Sequence, residues 1–352
     1  MAFAATRFER VSPSIARLVL AAYAAIALIV LCFSFPMVGT EKAPDKQGDL
    51  ETYQQVVDAL KDGVPYYEAL HTELVSAGYG THSVFNWRPP FFLTALALSP
   101  STMVSQAVLV AIAAAALTLA LGLQWSGPAM RVGLALLLVL SLVSVIVPGA
   151  QNMCELYAGA LILLSVAAYG RGWHWMGFGA ATLALLFREL SIAYVVLCVW
   201  FALRERRWTE VGAWGVVLLA FTGYFAWHAQ LAMSMVGPLD KAYPEGWVQF
   251  GGLSFDLITA NFNGAFLLMP FWVTGLLLPL AVLGLLAWPA KAGQLVLATV
   301  LTYLAMFAIV GKPMNIYWGA IYTPLLALGV VWAAPALRDL VLVALPGKRV
   351  AA

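Results

Sequence analysis

The sequence predicts an all-α polytopic membrane protein of about ten transmembrane helices, and three observations carry the prediction. Hydrophobic residues fill 62% of the 352 positions and charged residues 10%, against roughly 25% charged in a soluble domain. Apolar runs long enough for a bilayer, about 20 residues each, recur along the whole chain. Charge also divides unevenly between alternate connections, as membrane insertion requires. The three cysteines, Cys32, Cys154 and Cys198, lie in or beside apolar runs, with no disulfide or zinc spacing. A net charge of +2, without a basic patch interleaved with aromatics, gives no nucleic-acid partner. The expected partners are membrane lipids.

The runs fall at 17–36, 89–124, 131–148, 153–169, 173–187, 190–203, 210–232, 265–288, 294–310 and 315–334. The first follows a short basic start and no small-residue cleavage site follows it, so it reads as a retained signal anchor. The run 89–124 is interrupted by Ser99-Pro100-Ser101 and counts as one crossing with a broken first part. Ten crossings put both termini on one side of a single transmembrane unit, residues 1–352. With those termini inside, the inner side holds 12 Lys/Arg and four acids, and the outer side seven Lys/Arg and 13 acids. The positive-inside rule favours that orientation, a multi-pass protein of the inner or plasma membrane with cytoplasmic ends.

Under it, the first outer loop (37–88), a second (231–264), and the breaks at Gln151-Asn152, Arg188-Glu189 and Lys312 to Asn315 share the outer side. Polar residues that interrupt the apolar pattern thus converge on one face. Eight of the 17 acidic residues fall between Glu41 and Glu73.

The first outer loop has internal order. Leu50, Tyr53, Val56, Val57 and Leu60 recur at helical spacing, opposite a stripe of Glu51, Gln55, Asp58 and Asp62. Gly63 should end this helix and Pro65 begin another, lined by Tyr67, Leu70, Leu74 and Ala77 and stopped at Gly78. Both read as short amphipathic helices lying on the membrane surface.

Asp49 follows Gly48, a glycine expected to allow a close backbone approach. It has two readings: an N-cap, typically stabilising by about 1 kcal/mol, or a carboxylate at the mouth of a cavity acting as general base or metal ligand. Arg88 precedes Pro89-Pro90, which can start a helix. A guanidinium beside a helix start would seat a phosphate; the other reading is an interfacial arginine reaching back to water. Arg188 and Glu189 are ionisable residues between two apolar runs, which suggests either a functional site or an ion pair holding the bundle. Lys312, Asn315, Gln151 and Asn152 are further outer-side polar residues, with anchoring and capping as the alternatives. His71 and His82 are outer-loop histidines that can touch a substrate or a metal.

These features together resemble the GT-C glycosyltransferases, membrane enzymes that use polyprenyl-phosphate-linked sugars. The resemblance rests on "GDLETY" after the first run, "GVPYYEA" in the surface helices and the return through "NWRPPFF". Asp49-Leu50-Glu51 fits the family's Asp-X-Glu form, and Arg88 its basic residue before Pro-Pro; "GAQN" at 149–152 and "FRE" at 187–189 are similar to mannosyltransferase-like members.

The resemblance implies a GT-C-like bundle and inverting transfer of a sugar from a polyprenyl-phosphate donor to an acceptor hydroxyl. It assigns Asp49 as base and Glu51 as a residue that orients Asp49, binds a sugar hydroxyl or holds a divalent metal. It also implies a phosphate site at Arg88; with the outer-side polar residues read above, the candidate substrate residues are Arg88, Arg188, Glu189, Lys312, Asn315, Gln151, Asn152 and His82. The acceptor class, glycan, lipid or protein, is open. The alternative reading is a transporter or lipid flippase built around the same outer polar cavity, although no repeat relates the two halves of the chain.

Overall fold

In the computed structural model, which describes residues 5–37, 48–125, 127–242 and 249–345, helices join through short turns and 3-10 stretches. In chain order they are α1 (Pro13–Ser34), α2 (Asp49–Lys61), α3 (Tyr66–Ser76), α4 (Pro90–Ala97), α5 (Thr102–Leu121), α6 (Pro128–Leu142) and α7 (Cys154–Gly170). There follow α8 (His174–Phe187), α9 (Ile192–Arg204), α10 (Trp208–Ser234), α11 (Gly252–Asn261), α12 (Phe271–Ala287), α13 (Lys291–Ile309) and α14 (Thr323–Ala344). No strand occurs among the described residues. Six helices are long and apolar enough to cross a membrane: α1, α5, α6 with its 3-10 extension to Ile146, α10, α13 and α14. Three shorter apolar helices, α7, α8 and α12, pack among them. The chain is therefore an all-α, multi-pass membrane protein. Glu41, Asp45 and Gln47 of the loop 37–88, residues 243–248 of the loop 231–264, and Lys348 and Arg349 lie outside the described residues.

Local chemistry explains the breaks. Proline begins α1, α4 and α6, where its missing N–H costs nothing. Ser12 and Ser101 cap α1 and α5 by accepting from Ile15 N and Val104 N, both at 3.3 Å. Ser101, after Pro100, thus restarts the chain as α5 within the long apolar run.

α2 and α3 form where the apolar spacing places them. Tyr53, Val56, Val57, Leu70 and Leu74 are buried, whereas Glu51, Asp58 and Asp62 are exposed. Gly63 and Gly78 end them at φ +86° and +74°, a backbone that favours glycine. α2 packs on α3 and α4, so its apolar face is covered by protein.

One expectation shifts. The last run, read as 315–334, divides into a 3-10 stretch, Pro313–Ile321, and the helix α14 at 323–344. The non-helical backbone of Asn315 (φ −92°, ψ 35°) interrupts the stretch before a regular helix is established. The irregular stretch presses on the buried helix α7: a Cβ at Gly159 would lie 1.9 Å from the Ala320 carbonyl oxygen. Close approach of backbones at small residues is the usual way that membrane helices pack.

The helix ends sort into two sets. At one, Arg7 donates to the Ala290 carbonyl, Lys291 pairs with Glu205, and Thr6 donates to Asp339 through its backbone N–H and its hydroxyl. At the other meet α2, the starts of α4 and α7, the end of α8 and the segment after α13.

Candidate functional site

The site begins at α2. Asp49 is the first residue of that helix; Gly48 takes the cap position, with no side-chain cap hydrogen bond. The capping role considered for Asp49 is therefore not the one observed. Nor does Gly48 serve a close approach: a side chain there would meet nothing within 4 Å among the described residues. The Asp49 carboxylate instead accepts a hydrogen bond from the Tyr79 hydroxyl. Gly78 makes this possible by turning the chain at the end of α3, where Tyr79 N donates to the Leu74 carbonyl at 2.8 Å. Burial, with the carboxylate of Asp49 beside it, pushes the Tyr79 hydroxyl well above its ordinary value and keeps it a donor. Asn152 fixes α2 from the other side, donating to the Leu50 carbonyl at 3.1 Å and to Gln54 Oε1 at 3.0 Å.

Arg88 is held by its backbone. Tyr66 donates to the Arg88 carbonyl at 2.6 Å, Trp87 Nε1 donates to the Thr81 carbonyl at 2.8 Å, and Phe91 N donates to the Tyr224 hydroxyl at 2.9 Å. The guanidinium lies 5.2 Å from the ring centre of Tyr53, a cation–π arrangement. Its Nη2 donates to Glu155 Oε1 at 3.2 Å, and Arg188 Nε stands 2.9 Å from the same oxygen. One buried carboxylate thus keeps two guanidiniums side by side, while Arg188 also pairs with Glu189.

Asp49, Tyr53, Tyr79, Asn86, Arg88, Arg188, Lys312, Asn315 and Tyr317 line one polar cavity of about 60 Å³, closed by Phe85, Met314 and Trp318. Arg88, Arg188, Lys312 and Asn315 are all buried. Two buried donors, Arg88 Nε and Asn315 Nδ2, have no hydrogen-bond partner among the described residues, and neither does the acceptor Glu189 Oε2. Unsatisfied buried polar atoms are rare enough to call for an explanation. Beside this cavity runs a larger, apolar groove of about 390 Å³. Leu190, Ile192, Phe221, Phe225 and Val310 form its walls, and Phe85, Arg188 and Trp318 belong to both spaces.

The structure thus gathers Asp49, Arg88, Arg188, Lys312 and Asn315 around one space, with Glu189 in the adjoining groove. Glu51 is exposed, Asn152 holds α2, and buried Gln151 neighbours it; none of the three lines either space. His82 lies elsewhere too, with its Nε2 3.1 Å from the Asp240 carbonyl oxygen. His71 meets the Asp240 carboxylate at 2.7 Å, and Thr81 donates to the same oxygen at 2.7 Å, which joins the loops 37–88 and 231–264. Among the described residues, no group of three His, Cys, Asp or Glu side chains is placed to hold a metal. Asp49 stands among three cationic side chains, a donor set that suits an anion rather than a divalent cation.

Sequence reasoning missed Glu155, Tyr53, Tyr79 and Tyr317. Glu155 carried a signal: it is the single ionisable side chain of the run 153–169 with a charge at neutral pH, and an intramembrane carboxylate by default marks function. Comparison with protein-family models, curated proteins and solved structures finds no match for this chain.

Proposed function

We propose that the chain is a GT-C-type glycosyltransferase, which moves a sugar from a polyprenyl-phosphate donor to an acceptor hydroxyl at the outer face of the membrane. The observation that carries the reading is the junction of the polar cavity with the apolar groove at Arg188. A lipid-linked phosphosugar needs an apolar channel for its tail, cations for its phosphate and a carboxylate beyond them, in that order.

In this reading the tail lies along Leu190, Ile192, Phe221 and Phe225. The phosphate takes the open donors of Arg88 and Asn315, with Lys312 and Arg188 adding charge. Asp49, oriented by Tyr79, takes the proton from the acceptor hydroxyl as its oxygen attacks the anomeric carbon. The bond from that carbon to the phosphate oxygen breaks, and polyprenyl phosphate leaves with the electron pair. General base catalysis of this kind contributes about 100- to 10,000-fold. The positive-inside rule supports the sidedness, because the end opposite the cavity carries most of the arginines.

The test uses purified protein, a polyprenyl-phosphate sugar and no nucleotide sugar. The reading expects transfer or slow hydrolysis that releases polyprenyl phosphate, faster with a long polyprenyl chain than with a short one. Translocation of the intact lipid without cleavage would instead support the flippase.

A further inference from the structure

A second cavity of about 390 Å³ lies at the end of the bundle away from Asp49. Tyr169 and His174 come to it from the α7–α8 turn, Phe201 and Glu205 from the end of α9, Arg207 from the start of α10 and Lys291 from the start of α13. Its charges form a chain. Lys291 Nζ lies 3.0 Å from Glu205 Oε1, and Arg207 Nε lies 3.2 Å from Glu205 Oε2. Arg207 also pairs with Glu210 and stands 3.1 Å from His174 Nδ1. Phe201 and Leu295 give the cavity an apolar wall.

Its surroundings fit lipid headgroup depth. Trp173, Trp175, Trp200 and Trp208 are exposed around the same helix ends, as in the aromatic belts found at membrane interfaces. Arg171, Arg204 and Arg206 stand exposed at those ends too. α8 and α13 open with His174 and Lys291, with no acidic residue in their own first turns and no capping side chain. Arg171, Arg204, Arg206, Arg207 and Lys291 outnumber Glu205 and Glu210 at these ends, and basic pockets between membrane helices recognise acidic lipid headgroups.

We infer that this cavity binds the phosphate headgroup of an anionic phospholipid, with Lys291 and Arg207 supplying the charge and Phe201 and Leu295 meeting the start of the acyl chains. The inference does not depend on the glycosyltransferase reading, since it concerns the other end of the molecule.

Native mass spectrometry of the full chain, given phosphatidylglycerol and phosphatidylcholine in equal amounts, tests it. The wild type should retain phosphatidylglycerol preferentially, and Lys291→Gln should reduce that preference about fivefold, the share of one cation near an acidic surface. Arg207→Gln should reduce it further. Because Arg207 is tied into the ion chain, its thermal unfolding is checked, while Lys291, with a side chain 84% exposed, keeps the test open if that variant does not fold. Arg131→Gln, an exposed cation outside the cavity, should leave the preference unchanged. Equal retention of both lipids by the wild type overturns the proposal, as does an unchanged preference in Lys291→Gln. Displacement of phosphatidylglycerol by millimolar inorganic phosphate overturns the lipid as the source of the phosphate.

Discussion

The Tyr79 hydroxyl donates a hydrogen bond to the Asp49 carboxylate, 30 residues before it in the chain. The contact joins the start of α2 to the turn after α3 and leaves the carboxylate at the wall of the polar cavity. On the proposed mechanism Tyr79 is a positioning residue, since it acts through its hydrogen bond to the base. Tyr79→Phe should lower the transfer rate about tenfold, the worth of one hydrogen bond to a charged group, and leave the KM for the donor unchanged. In Asp49→Asn the amide oxygen would still accept from Tyr79, so the two substitutions separate orientation from proton transfer.

Glu155 should prove the keystone of the cation pair. Glu155→Gln leaves two buried guanidiniums facing each other without their shared charge, and loss of a buried ionic partner typically costs about 3–5 kcal/mol. Thermal unfolding should show that loss. Arg88→Ala should weaken donor binding strongly, and Arg88→Lys should restore only part because the planar fork is lost. Donor binding by Arg88→Ala equal to the parent would move the phosphate seat to Arg188 and Lys312.

Sidedness is testable by labelling. In a background with Cys32 replaced, since it is the exposed native cysteine among the described residues, cysteines at Lys61 and Arg206 should react from opposite sides of the membrane. Both positions are exposed. Labelling from the same side would contradict the ten-crossing reading and the outer placement of the cavity.

The junction of the loops 37–88 and 231–264 should be sensitive to acid. Hydrogen bonds from His71 and Thr81 hold the Asp240 carboxyl down to about 2, from an ordinary value of 3.8. A depressed carboxylate contributes stability that is present above its ordinary value and lost as pH falls through the folded one. The backbone N–H of Thr81 donates to the Lys241 carbonyl. Its exchange protection, corrected for intrinsic rate, should hold down to about pH 4 and fall between about pH 4 and pH 2. Asp240→Asn should remove that dependence.

The sequence revealed the local features and not their meetings. α2 and α3 could be read residue by residue because period, glycine stops and Pro65 all agree. The Arg88-Pro-Pro entry was equally legible, since proline fixes where a helix can start. Glu155 was hidden because it begins an otherwise apolar run, and hydropathy averages over it. Tyr53 read as part of an apolar helix face and Tyr79 was not singled out, and only the fold brings them to Arg88 and Asp49. Asn152 and His82 looked like site residues because they share an outer face; packing uses one to hold α2 and sets the other beside the second loop. The break at Lys312 to Asn315 was read, but the late start of α14 was not, because most residues between Ile316 and Tyr322 are apolar, although Pro324 marks the helix start.

The most direct test of the account is Asp49→Asn, assayed for sugar transfer and donor binding in the same preparation. The amide keeps the shape of the carboxylate and can still accept from Tyr79, but it cannot take the acceptor's proton. The account predicts near-normal folding and donor binding, with transfer lowered by at least about 100-fold. Near-normal transfer by Asp49→Asn would contradict it and remove Asp49 from the chemistry.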